Sequence, residues 1–119
     1  MAPPTAVKTR RPPPMAEPGN YIFAADPASL PPGTGRTIHL QGREFALYNL
    51  AGEYFAIDNE CPHRGGPLGA GVLEHGEVFC PLHGWAFDLK TGACRNNPDR
   101  PVKTHPVRLH NGEVQIAII

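Results

Sequence analysis

An all-β fold is what this sequence predicts, and three observations carry that prediction. Asn111-Gly112 lies between two apolar runs and is a strong signal for a two-residue hairpin turn. Val114, Ile116 and Ile118 alternate with Gln115 and Ala117, as in a strand with one buried face. No stretch sustains the apolar period of an amphipathic helix.

Taken in order, the chain divides near residue 19. Residues 1–19 hold six of the fifteen prolines, no aromatic residue, and the charges Lys8, Arg10, Arg11 and Glu17. Such a segment buries too little apolar surface to offset its ordering entropy, so it reads as a disordered or polyproline-like tail. A proline-rich recognition motif is the other reading. The Arg10-Arg11 pair is followed by Pro12-Pro13-Pro14 rather than an apolar run, which argues against an export signal.

From Asn20 to the C terminus the signals are those of one β domain. Asp26-Pro27 and Pro31-Pro32-Gly33 mark loops, and Asp26 to Leu30 suits a single helical turn. Thr37 to Leu40 and Arg43 to Leu50 read as strands joined across Gln41-Gly42. Ala51-Gly52-Glu53 turns the chain into Tyr54 to Asp58 and completes a β-meander. Val78 to Cys80 and Trp85 to Leu89 are short strands, and Lys90-Thr91-Gly92 is a turn. Val107 to Leu109 and Val114 to Ile118 form the last hairpin.

At 119 residues there is room for one domain, and eleven basic residues balance eleven acidic ones. That balance points to neither nucleic acid nor a membrane surface as a partner. No apolar run has transmembrane length. Three cysteines do not make a disulfide framework.

The chemistry is concentrated in two short segments. Cys61-Pro62-His63 is followed, after a spacer of sixteen residues, by Cys80-Pro81-Leu82-His83. Each half offers one thiolate and one imidazole, so two metals could divide the donors into a sulfur pair and a nitrogen pair. That is the ligand set of a Rieske [2Fe–2S] centre. Pro62 and Pro81 restrict the chain after each cysteine. Gly65, Gly66 and Gly84 permit positive φ and let amide groups approach bridging sulfides.

Cys61-Pro62-His63-Arg64-Gly65-Gly66-Pro67-Leu68 and Cys80-Pro81-Leu82-His83-Gly84-Trp85 resemble the two cluster-binding loops of the Rieske family. The resemblance covers residues 20–119 and implies a Rieske fold: antiparallel sheets with an inserted two-loop cluster-binding subdomain, the loops at about 61–69 and 80–88. It implies one [2Fe–2S] cluster per chain, with Cys61 and Cys80 on one iron and His63 and His83 on the other. The histidines would bind through Nδ1. Pro62, Gly65, Gly66, Pro81, Leu82, Gly84 and Trp85 would surround the ligands. With neutral imidazoles the oxidised cluster is formally neutral and the reduced one a monoanion, whereas an all-cysteine cluster starts as a dianion. The electron is therefore easier to add.

High-potential members of the family carry two further cysteines, which fall here on Gly66 and Leu82, and Ser and Tyr hydroxyls, which fall on Trp85 and Phe87. Fewer hydrogen bonds to sulfur stabilise the reduced state less. The expected potential is at the low end of the Rieske range, and the chain resembles the soluble ferredoxin type.

Other residues have simpler readings. The four donors also match a Cys₂His₂ zinc site, although zinc patterns commonly pair like with like. His39, His75, His105 and His110 fit surface or strand positions, and Trp85 and Phe87 fit packing beneath the loops. Cys94 is left without a partner, which suits a reducing cytoplasm. Arg64 is either a solvated side chain or a partner-steering charge.

The chain is too short for the mononuclear iron domain of an oxygenase, so it is expected to act as an electron shuttle without a small-molecule substrate. Two roles fit the resemblance: ferredoxin between a flavin reductase and an aromatic-ring dioxygenase, or small subunit of an assimilatory NAD(P)H nitrite reductase. Pro62, Leu68, Pro81 and Leu82 are expected to form an apolar docking rim. A zinc-bearing module that binds a partner through its tail is the non-redox alternative.

Overall fold

The computed structural model describes residues 21–62, 65–82 and 84–117. The expected tail at 1–19 and the end of the last strand at Ile118 lie outside these. Among the described residues ten strands form three antiparallel sheets. Tyr21–Ala25 (β1), Val107–His110 (β9) and Glu113–Ala117 (β10) make one, in the order β1-β10-β9. Gly35–Leu40 (β2), Arg43–Leu50 (β3), Glu53–Asp58 (β4) and Thr104–His105 (β8) make the second, in that order. Val72–Glu74 (β5), Glu77–Phe79 (β6) and Ala86–Asp88 (β7) make the third.

The second sheet is the middle layer, and β3 shows why. Its sequence Phe45-Ala46-Leu47-Tyr48 is apolar without alternation because both faces are buried. Phe45 and Leu47 join Ile38, Ala56, Val114 and Ile116 in a core under the first sheet. Ala46 and Tyr48 join Ile57, Leu68, Val78 and Phe87 in a core under the third. Each fully buried large side chain contributes about 2 kcal/mol. The two cysteine loops are thus built on one face of a sheet whose other face is already packed.

Four hairpins turn on two residues with positive φ: Gln41-Gly42, Ala51-Gly52, His75-Gly76 and Asn111-Gly112. This geometry matches the right-handed strand twist, and glycine at the second position tolerates it without strain. The predicted meander and last hairpin are present, as is a 3-10 turn at Pro27–Ser29, capped by the Asp26 side chain. Strands β1, β5 and β8 were not predicted. β5 and β8 have three and two residues, too short to display a period. Cys80 and Trp85 lie just outside the strands predicted to include them, and the second loop runs over 80–85, ending before the expected 88 because β7 starts at Ala86. Ala117, expected on the open face, is buried with Val114 and Ile116.

Candidate metal centre

The two cysteine loops share one backbone design. In the first, the Cys61 N–H donates to the Gly66 carbonyl at 2.9 Å, and the Gly65 N–H donates to the Cys61 carbonyl at 2.7 Å. In the second, the Cys80 N–H donates to the Trp85 carbonyl at 2.8 Å, and the Gly84 N–H donates to the Cys80 carbonyl at 2.9 Å. Gly65 and Gly84 both sit at φ +74°. A segment opening on cysteine and closing on left-handed glycine is therefore used twice. The Gly65 and Gly84 amides are engaged by the cysteine carbonyls, so these glycines close the loops.

Gly66 has a different task. A Cβ there would lie 2.7 Å from the Cys80 Sγ and 3.0 Å from the Leu82 Cγ. The first loop is thus pressed against the second at a point where only hydrogen fits. The same contact places Gly66 beside Leu82, the two positions matched to the cysteines of the high-potential proteins. Cys61 and Cys80 are 1% and 4% exposed and belong to one apolar core. His63, Arg64 and His83 lie outside the described residues. Among the described residues alone, no three His, Cys, Asp or Glu side chains converge as a metal site.

Residues not anticipated from sequence hold the first loop to the middle sheet. Buried Asn59 accepts from the Gly69 N–H at 2.7 Å and the Thr37 hydroxyl at 3.0 Å, and donates to Glu44 at 3.2 Å. Its own carbonyl accepts from the Leu68 N–H. The Tyr48 hydroxyl donates to the Leu68 carbonyl at 2.6 Å. Burial pushes its pKa up to about 12, with the hydrogen bond to Gly71 working the other way. The only sequence signal was a lone asparagine between a strand and a candidate ligand. On the second loop's exit, the Asn96 side chain accepts from the Ala86 N–H at 2.8 Å.

His105 is in a strand and buried, its Nε2 2.7 Å from Asp58 Oδ1 and its ring edge-on to Phe45. Desolvation lowers its pKa, and Asp58 opposes that shift without cancelling it. Phe87 is fully buried and Trp85 packs on the same core, as expected of residues beneath the loops. The docking rim needs correction. Leu82 is 54% exposed and Pro81 is exposed, but Leu68 is wholly buried, because the 3-10 turn at Leu68–Ala70 directs it into the core.

A sheet base carrying two matched loops, each opening on a buried cysteine, defines an iron–sulfur domain of the two-loop kind. Residues 20–106 match the Rieske [2Fe–2S] domain, and the chain belongs to that family. Its cofactor is a Rieske-type [2Fe–2S] cluster. The chain is 38% identical over 98 residues to the ferredoxin component of the naphthalene 1,2-dioxygenase/salicylate 5-hydroxylase systems of Ralstonia sp, covering 82% of this chain and 94% of the relative. A chain in the solved complex of reduced oxygenase and oxidized ferredoxin of carbazole 1,9a-dioxygenase superposes with TM-score 0.76 at 28% identity, over 82% of this chain and 93% of that one. A Mycobacterium tuberculosis chain described as the small subunit of an NADH-dependent nitrite reductase gives 0.77 at 29% identity, over 83% and 95%.

The residues present fit the cluster. Two buried thiols in one core are available as a sulfur pair, and the absence of a side chain at Gly66 leaves the sulfur of Cys80 uncrowded on that side. No described helix is long and apolar enough to cross a membrane.

Proposed function

We propose that this protein is the ferredoxin component of an aromatic ring-hydroxylating dioxygenase system, taking single electrons from a flavin reductase and delivering them to the oxygenase. The observation that carries the reading is the repeated cysteine-to-glycine loop, pressed together at Gly66 and Cys80. Cys61 and Cys80 would hold one iron, and His63 and His83 the other. The bound cluster supplies a reversible one-electron couple. The loop hydrogen bonds hold the backbone at both cysteines. Leu82 and Pro81 give the partner an apolar contact beside the ligand loop, suited to a small, transient redox encounter. The Rieske domain would span residues 20–119, with 1–19 as a tail outside it. A cytoplasmic location goes with this reading, since Cys94, the cysteine not assigned to the cluster, forms no disulfide.

The nitrite reductase role rests on the fold, where that subunit and the carbazole dioxygenase ferredoxin match at 29% and 28% identity, but dioxygenase ferredoxin components are the sequence relatives matched at 38%. Iron and sulfide analysis, with EPR of the dithionite-reduced protein, tests the centre. Two irons, two labile sulfides and a rhombic signal with average g below the free-electron value are expected. Zinc, with no colour and no signal, overturns the reading. Reduction by a flavin reductase followed by oxidation by a dioxygenase oxygenase tests the pathway. Electron delivery to a sirohaem nitrite reductase but to no oxygenase would move the protein to the second role.

A further inference from the structure

A third loop, residues 95–101, runs from Ala86, the β7 residue that follows the second cysteine loop, to the first cysteine loop. At its start the Arg95 N–H donates to the Ala86 carbonyl of β7 at 2.8 Å, and Asn96 caps the Ala86 N–H in return. An ion pair between Arg95 and Glu77 anchors the same end. Asn97 then turns the chain, accepting from the Asp99 N–H through its side chain and from the Arg100 N–H through its carbonyl. The turn delivers Arg100 to the other cysteine loop, where its Nη1 donates to the Pro62 carbonyl at 3.1 Å. That carbonyl belongs to the peptide bond leading into His63.

We propose that Arg100 is a positioning residue of the first ligand loop and that its fixed positive charge raises the reduction potential of the centre. The proposal rests on the electron-transfer reading. Arginine stays charged at every working pH. Reduction adds one negative charge to the centre, and a cation held against the ligand loop favours the form that carries it. The bond fixes the peptide between a candidate sulfur ligand and a candidate nitrogen ligand. Glu60 acts in the opposite sense. Its Oε2 lies 3.5 Å from where a Gly65 Cβ would stand, which puts a carboxylate on the same loop. Both side chains are exposed, so solvent and salt weaken each effect.

The test is the reduction potential of the cluster-loaded protein by voltammetry, at low and high salt, together with the rate of iron loss to a chelator. Arg100→Gln should lower the potential, Arg100→Lys should leave it near the wild-type value, and Glu60→Gln should raise it. All differences should shrink at high salt. Arg100→Gln should also lose iron about threefold faster, as expected for loss of one exposed hydrogen bond. An unchanged potential in Arg100→Gln at low salt overturns the electrostatic part, as does an equal fall in Arg100→Lys. Unchanged iron loss overturns the positioning part. Failure of the underlying reading would look different: the wild-type protein would show no reversible one-electron wave before any substitution was made.

Discussion

Gly66 and Cys80 meet across the two ligand loops so closely that a methyl group on the glycine would stand 2.7 Å from the sulfur. This contact separates two glycine substitutions that look alike in the sequence. Gly66→Ala forces the loops apart and should give protein with a markedly reduced iron content. Gly84→Ala meets nothing within 4 Å and pays only for its φ of +74°, about 1–2 kcal/mol. It should still load with iron but melt earlier. Equal iron content in the two variants would show that the contact does not govern cluster assembly.

Asn59 ties the first loop to β2 and β3. In Asn59→Leu the buried Gly69 N–H and the Thr37 hydroxyl lose their acceptor. The expected cost is about 3 kcal/mol, read as a shift in the denaturation midpoint. Glu44 keeps its contact with His39, so the loss should be confined to the loop side.

His105 gives a pH dependence with a definite sign. Burial lowers its pKa in the folded state below the ordinary value of 6.5. Between the two values the unfolded chain binds the proton and the folded chain does not, so stability falls as pH drops below about 6.5. Above that pH the contribution is complete. His105→Gln lacks this proton, so its stability deficit relative to wild type should narrow from pH 7 toward pH 5. A constant deficit would mean that His105 titrates alike in both states.

Ala51 holds φ +53° at the first position of a two-residue hairpin turn, a conformation that asparagine adopts more readily. Ala51→Asn should stabilise the protein by a few tenths to about 1 kcal/mol, measurable in the thermal midpoint.

The reduction potential should fall in the lower half of the span from about −150 to +300 mV. Gly66, Leu82, Trp85 and Phe87 supply neither the extra cysteines nor the hydroxyls of the high-potential pattern. Potentiometric titration followed by EPR decides this, and a value in the upper half would contradict it.

The sequence alone was enough for the all-β class, the meander and the last hairpin, and it is the sequence that nominates the four candidate ligands. Hairpin turns are local: Asn111-Gly112 needs only its own backbone preferences, and Cys-Pro-His is a run of adjacent residues. The tertiary structure decided what depends on residues far apart in the chain. Leu68 closes the first loop motif and reads as an exposed rim residue, yet it is wholly buried in the core with Tyr48 of β3. Asn59 binds Thr37 and Gly69, and Arg100 reaches Pro62 from 38 residues away. Gly66 was recognisable as a glycine of the loop, but that its missing side chain makes room for Cys80 followed only from the packing. Local preference is written in neighbouring residues, whereas a close approach exists only after two segments have been folded against one another.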